Sequence, residues 1–277
     1  LSTVLCLATW GKTWQLVLGA VGVSVPYRKL VVTFFAATFA NYVTPMGQAG
    51  GEPFIAYVLA RDTDASYEQS LASVLMADLI RLLPFFTVGG IGLVYLLVSS
   101  RFTDSVEGFV AVLVAMTLAV PLATLLAWRN RERLRGVVLG LIEPIARRTD
   151  RLSIESASDR FDRLYEAIGV ISESPRTLLE AAAFAYVGWV FFALPLYFSG
   201  LAIDAPISLL LVCFIVTVSV IAGSTPLPGG LAAIEGTVVA LLVALTALTT
   251  AETFAITTLY RLTSYWFVVA VGGIAAL

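Results

Sequence analysis

Of the ionisable side chains within or beside apolar sequence, five would carry any chemistry done at membrane depth: Glu52, Asp78, Arg81, Glu235 and Arg261. An ionised group at the centre of a membrane helix costs about 2.5–3.5 kcal/mol on insertion scales, so such groups are paired or functional. Asp78 and Arg81 are three residues apart and share a helix face. Arg261 has no acid three residues before it. Two arrangements follow. In one, the charges form structural bridges, Asp78 to Arg81 and Arg261 to Glu235 or Glu52. In the other, the two guanidiniums bind an anionic head group while Glu52 and Glu235 position them or carry a coupling proton. Asn41, Thr44, Gln48 and Thr225 supply uncharged donors and acceptors beside the carboxylates and complete the candidate substrate-binding set.

Other chemistries are excluded by composition. The chain has no histidine, which removes Ser-His-Asp and Cys-His catalysis and HExxH zinc sites. Cys6 and Cys213 sit far apart in apolar runs and read as small buried hydrophobes. There is no GxxxxGK[ST] loop for nucleotide phosphates. No catalytic residue, cofactor or metal is expected, and the chain reads as a non-enzyme. An intramembrane lipid transferase with Glu52 or Glu235 as base is the weakest alternative. A net charge of −2 argues against a nucleic-acid partner.

The elements that position these residues are membrane helices. The 277 residues are 59% hydrophobic and 13% charged, about half the usual charge of a soluble domain, and mean hydropathy is +0.92. The apolar runs are continuous rather than alternating, so helices and not a β-barrel satisfy the backbone in hydrocarbon. Spans are expected at 1–23, at 30–59 with an interruption, and at 71–98, 106–128, 178–201, 207–222, 231–248 and 254–277. The apolar start at Leu1 has no basic n-region or A-x-A site, so no signal peptide is read. A natural N-terminus upstream of Leu1 is expected, and whether a further helix precedes Leu1 is left open.

The polar stretch 129–176 holds ten of the seventeen basic residues. Leu134, Val137, Val138, Leu141, Ile142 and Ile145 recur at helical spacing, as do Phe161, Leu164, Tyr165 and Ile168. They predict two amphipathic helices, lying either on the membrane surface or packed on the protein itself. Its arginines place this segment in the cytoplasm. Counting from there, 106–128 runs out to in and 71–98 in to out.

The two ends of the chain resemble each other at a near-constant offset. Pro26 matches Pro206 and Arg81 matches Arg261 at 180; Thr44-Pro45 matches Thr225-Pro226 at 181; Glu52 matches Glu235 and Gly89-Gly90 matches Gly272-Gly273 at 183. Two repeats are therefore expected, 1–99 and 177–277, joined by the single span within 100–128 and the cytoplasmic segment 129–176. One linking crossing inverts the second repeat, an arrangement suited to alternating access. Each repeat carries a segment no plain helix accommodates: Thr44-Pro-Met-Gly-Gln-Ala-Gly-Gly-Glu-Pro53 and Thr225-Pro-Leu-Pro-Gly-Gly230 before Glu235. Irregular backbone at membrane depth survives only around a cavity or inside protein, so both breaks are read as re-entrant hairpins lining a site. The fold class is all-α: a polytopic membrane bundle of two inverted-topology repeats, each with a Gly/Pro-broken hairpin.

At these motifs the chain resembles the lysylphosphatidylglycerol synthase transmembrane region, a flippase-like (MprF-type) integral membrane family. The resemblance is carried by N-x-x-T-P-x-G with G-G-E across Asn41–Glu52, D-x-x-R at Asp78–Arg81, and P-x-P-G-G with Glu235. It implies movement of a membrane lipid or lipid-linked substrate between leaflets, such as an anionic or aminoacylated phospholipid or a polyisoprenyl-phosphate carrier. It also implies a multi-pass cell-membrane location and is compatible with a homo-oligomer or with a glycosyltransferase or lipid-synthase partner. Competing readings are an ion-coupled small-solute transporter and a membrane scaffold for a glycosyltransferase.

Overall fold

A computed structural model of the chain describes residues 1–44, 52–99, 104–146 and 154–275. They form twelve α-helices with no strand among the described residues: α1 (Ser2–Ala20), α2 (Tyr27–Val43), α3 (Glu52–Asp62), α4 (Tyr67–Val98), α5 (Asp104–Arg129), α6 (Arg131–Ala146), α7 (Ile154–Ser172), α8 (Pro175–Leu201), α9 (Leu209–Ala222), α10 (Ala233–Leu245), α11 (Thr250–Arg261) and α12 (Phe267–Ala275). A π-helical turn, Leu262–Trp266, joins α11 to α12.

Among the described residues, five stretches are long and apolar enough to cross a membrane: Tyr67–Val98, Val106–Arg129, Pro175–Leu201, Pro228–Leu245 and Thr250–Ala275. The fourth is not one straight helix. Left-handed φ values at Gly229, Gly230 and Ala232 break it and leave thirteen helical residues in α10. The hairpin helices α2, α3, α9 and α10 contain 17, 11, 14 and 13 residues. At 1.5 Å per residue each is roughly 17–26 Å long, short of the ~30 Å hydrocarbon core.

The sequence reads 1–23 as a span, yet α1 is not among the five stretches. Lys12, Gln15 and three threonines dilute its apolar character, and the bundle satisfies them. Thr3 Oγ1 donates to Thr263 O at 2.7 Å, Thr13 Oγ1 to Ala181 O at 3.4 Å and Gln15 Nε2 to Val25 O at 2.8 Å. Trp14, Val17 and Leu18 on α1 are buried in the core shared with α8. Buried side-chain hydrogen bonds of this kind join helices where no water competes.

Helix packing crosses the chain. α4 packs on α9, and α12 packs on α2. Small residues allow both approaches. A Cβ on Gly92 would lie 2.7 Å from Phe214 N, and one on Gly272 would lie 2.6 Å from Phe35 O. Both arginine-bearing helices open with a capping box, Ser66 with Gln69 on α4 and Thr249 with Glu252 on α11.

The two amphipathic helices separate in their environments. α7 packs on α4 and buries Ala157, Ala167 and Ile171, while Glu68 at the head of α4 faces Arg160 at 3.9 Å and Arg163 at 3.7 Å. The Tyr165 hydroxyl donates to Ala127 O at 3.3 Å, tying α7 to the end of α5. α6 is held to α7 through Arg135, which reaches Asp162 at 3.1 Å and Ser158, and leaves Leu134, Val137 and Leu141 exposed.

A cavity between two broken hairpins: the candidate functional site

The second break is built from residues that only one backbone path accommodates. After α9 ends, Pro228 opens a 3₁₀ turn in which Gly229 and Gly230 take φ of 58° and 63°. Side chains rarely adopt this region, and a Cβ on Gly229 would run into the Tyr265 ring. Arg261 then closes the break. Its Nε donates to Glu235 Oε1 at 2.6 Å, its Nη2 donates to Gly229 O at 3.0 Å, and its guanidinium stands 4.3 Å from the Tyr265 ring centroid. The π turn begins at the next residue and carries Tyr265. Such turns interrupt helices mostly where a side chain must be re-aimed for a purpose. Gly229→Ala is expected to lower stability by about 2–4 kcal/mol, from left-handed backbone and overpacking together. The thermal midpoint in detergent, compared with Gly236→Ala where a Cβ meets nothing within 4 Å, checks it.

The first break begins where α2 ends, at Thr44 with extended φ −89° and ψ 130°. Residues 45–51, including Gln48, lie outside the described residues. On either side, Asn41 and Tyr42 at the end of α2 and Glu52 at the start of α3 line a cavity.

The same cavity receives the second hairpin through Ser219, Val220 and Ile234. It encloses about 370 Å³, and both Arg81 and Arg261 line it. Apolar and aromatic walls with a few convergent polar groups are the usual make-up of a ligand site. The two arginines differ in commitment. The Arg81 side chain is 23% exposed and pairs with Asp78 on its own helix; the Arg261 side chain is 8% exposed and pairs across to the hairpin. Trp10 and Phe34 flank Arg81, with ring centroids 5.1 and 5.7 Å from its guanidinium, a cation–π setting that holds the charge while leaving donors available. Trp189 Nε1 donates to the Arg81 carbonyl at 3.3 Å. Counted from the caps, Arg81 is fifteen residues along its helix and Arg261 twelve, a difference in depth of about 4.5 Å along a regular helix.

The model of the lysylphosphatidylglycerol synthase TM region matches residues 1–272. The chain belongs to that family. Among its relatives, a UPF0104 membrane protein of Methanothermobacter thermautotrophicus is 24% identical over 273 residues, covering 96% of this chain and 80% of the relative. A UPF0104 membrane protein of Pyrococcus horikoshii is 23% identical over 282 residues, covering 97% and 82%. No solved structure matches. With its apolar helices and these membrane-protein relatives, the chain is a multi-pass membrane protein.

The structure brings most of the expected site residues together. Asn41, Glu52, Asp78, Arg81 and Arg261 line the cavity, and Glu235 reaches it through Arg261. Thr44 is exposed at the end of α2, and Thr225 is half-buried in the second break; neither lines the cavity. Thr225 Oγ1 and Glu235 Oε2 are buried without a hydrogen-bond partner among the described residues. Sequence reasoning missed the aromatic wall of Trp10, Phe34, Trp189 and Phe192. One signal was present: Trp10 and Trp189 are 179 residues apart, within one residue of the 180-residue offset that relates Arg81 to Arg261.

Proposed function

We propose that the protein carries a lipid with an anionic head group between the two leaflets, without chemical transformation of it. The carrying observation is a single cavity reached by both broken hairpins and lined by Arg81 and Arg261. About 370 Å³ accommodates a phosphate-bearing head group rather than a whole lipid, so the acyl or isoprenoid chains stay in the bilayer while the head group crosses. Arg81 is the binding group, because its guanidinium is held by stacking and by a partner on its own helix. Arg261 is a latch: through Glu235 and Gly229 O it pins the second hairpin against α11. The substrate class extends to anionic and aminoacylated phospholipids and polyisoprenyl phosphates.

The movement we infer exchanges the roles of two inverted repeats, 1–99 and 177–277. Reciprocal packing of α4 on α9 and α12 on α2, paired capping boxes and paired breaks support that relation. In the structure the second hairpin is latched. Glu52 of the first hairpin lines the cavity and has no ion pair among the described residues. The alternate state pairs Arg81 with Glu52 and releases Arg261 from Glu235, opening the cavity toward the other face.

Delipidated protein in mild detergent is expected to rebind phosphatidylglycerol or a polyisoprenyl phosphate in preference to phosphatidylcholine, as seen by native mass spectrometry. Equal retention of the zwitterionic lipid contradicts an arginine-defined head-group site.

A further inference from the structure

Beyond the cavity, α6 presents a face that the described protein does not cover. Leu134, Val137 and Leu141 are 36%, 59% and 68% exposed. Their spacing of three and four places them along one stripe. Arg131 precedes Leu134 by three residues and Arg133 precedes Val137 by four, so both exposed guanidiniums border that stripe. Glu132 bridges two arginines, Arg131 at 3.4 Å and Arg135 at 3.7 Å, and Arg135 goes on to meet α7. Arg133 and the outer nitrogens of the exposed Arg131 thus stand beside the apolar stripe on the uncovered side, with one carboxylate between Arg131 and Arg135.

The position of α6 decides what covers this face. α5 is a membrane-spanning stretch ending at Arg129, and α6 starts at Arg131. Trp128, stacked on Tyr165, stands at that junction with half its surface exposed. An amphipathic aromatic at the end of a span marks the water–lipid boundary. A helix that begins three residues later, with an apolar stripe bordered by arginines, has the composition of an interfacial helix.

We propose that α6 lies on the bilayer surface, with Leu134, Val137 and Leu141 at the head-group boundary and anionic lipids at Arg129, Arg131 and Arg133. α7 is committed elsewhere: it packs on α4, burying Ala157, Ala167 and Ile171, and its Arg160 and Arg163 face Glu68. The surface helix is nonetheless tied to the transport core. Arg135 joins α6 to Asp162 of α7, and Arg160 and Arg163 of α7 meet Glu68 at the head of α4, the helix that carries Arg81. The proposed contact does not depend on what the cavity carries.

The test uses the full chain in nanodiscs, with Cys6 and Cys213 replaced by alanine and one new cysteine, Leu141→Cys, bearing an environment-sensitive fluorophore. A matching probe at Leu118→Cys on α5 confirms insertion. Lipids brominated near the head-group end of the acyl chain are expected to quench the Leu141 probe. Quenching is expected to be about threefold stronger with phosphatidylglycerol than with phosphatidylcholine alone, and to weaken with added salt. Arg131→Gln with Arg133→Gln is expected to abolish the anionic-lipid enhancement. A Leu141 probe that stays open to aqueous iodide in both lipid compositions, while the Leu118 probe is lipid-quenched, overturns the proposal. So does a probe shielded from both lipid and iodide, which would place a protein surface on α6.

Discussion

Replacing Arg81 with alanine is expected to weaken binding of an anionic-headed lipid about 10–100-fold while the helical bundle remains assembled. A charge-assisted hydrogen bond contributes about 1.5–3 kcal/mol, and each 1.4 kcal/mol is a factor of ten in affinity. The loss falls on binding rather than folding because Arg81 joins no two elements through its ion pair: its carboxylate partner Asp78 is on the same helix. Removing Arg81 alone leaves Asp78 charged beside the cavity, so Arg81→Ala with Asp78→Asn separates loss of the head-group contact from electrostatic repulsion of it. Both variants are expected to lose lipid. Arg81→Lys is expected to keep part of the affinity, because an ammonium supplies the charge without the planar fork that a phosphate can engage twice. Native mass spectrometry across a lipid titration reads all three. Unchanged retention in both alanine variants would remove Arg81 from the site.

The opposite pattern is expected at Arg261. Its guanidinium holds Glu235 and the Gly229 carbonyl, so Arg261→Ala leaves a carboxylate and a backbone acceptor without their donor. Breaking a buried pair from one side costs about 3–5 kcal/mol, reduced to about 3 kcal/mol here because the Glu235 side chain is 29% exposed. At about 2–4 °C per kcal/mol for a chain of this size, the apparent thermal midpoint in detergent falls by roughly 6–12 °C. Replacing both partners by apolar residues, Arg261→Met with Glu235→Leu, is expected to restore much of that stability, since no charge is then left unpaired. The double variant cannot unlatch and relatch, so transport stays lost although the fold returns. A midpoint within about 1 °C of wild type for Arg261→Ala contradicts the latch.

The parts of this architecture legible in the sequence are those that hydrocarbon dictates. Continuous apolar runs give the long helices α4, α5 and α8, and Pro226, Pro228, Gly229 and Gly230 announce a break because no regular helix tolerates them together. The Asp78–Arg81 pair follows from three-residue spacing alone. Between the two partners open to Arg261, spacing could not choose; the fold did, by bringing α10 beside α11 and leaving Glu52 on another hairpin. The aromatic wall was hidden because Trp10 and Trp189 look the same in sequence whether they face lipid or a cavity. The different fates of α6 and α7 were hidden for a related reason. Both carry the same three-and-four apolar period, and a period states that a face is covered without stating by what. α1 shows the reverse difficulty. The sequence reads 1–23 as a plain span, whereas its polar residues find their partners on α8 and the chain near Thr263.

The central claim, that an anionic head group crosses the membrane through the cavity at Arg81, is tested most directly by leaflet exchange. Purified protein is reconstituted into liposomes carrying a fluorescent phosphatidylglycerol, a polyisoprenyl phosphate or a phosphatidylcholine, and inner-leaflet label is followed as it becomes accessible to an impermeant reductant. Exchange of at least one anionic lipid is expected well above the protein-free rate, with little exchange of phosphatidylcholine and a return to the protein-free rate with Arg81→Ala. Exchange of the anionic lipids no faster than in protein-free liposomes, or exchange that Arg81→Ala leaves intact, would contradict that claim.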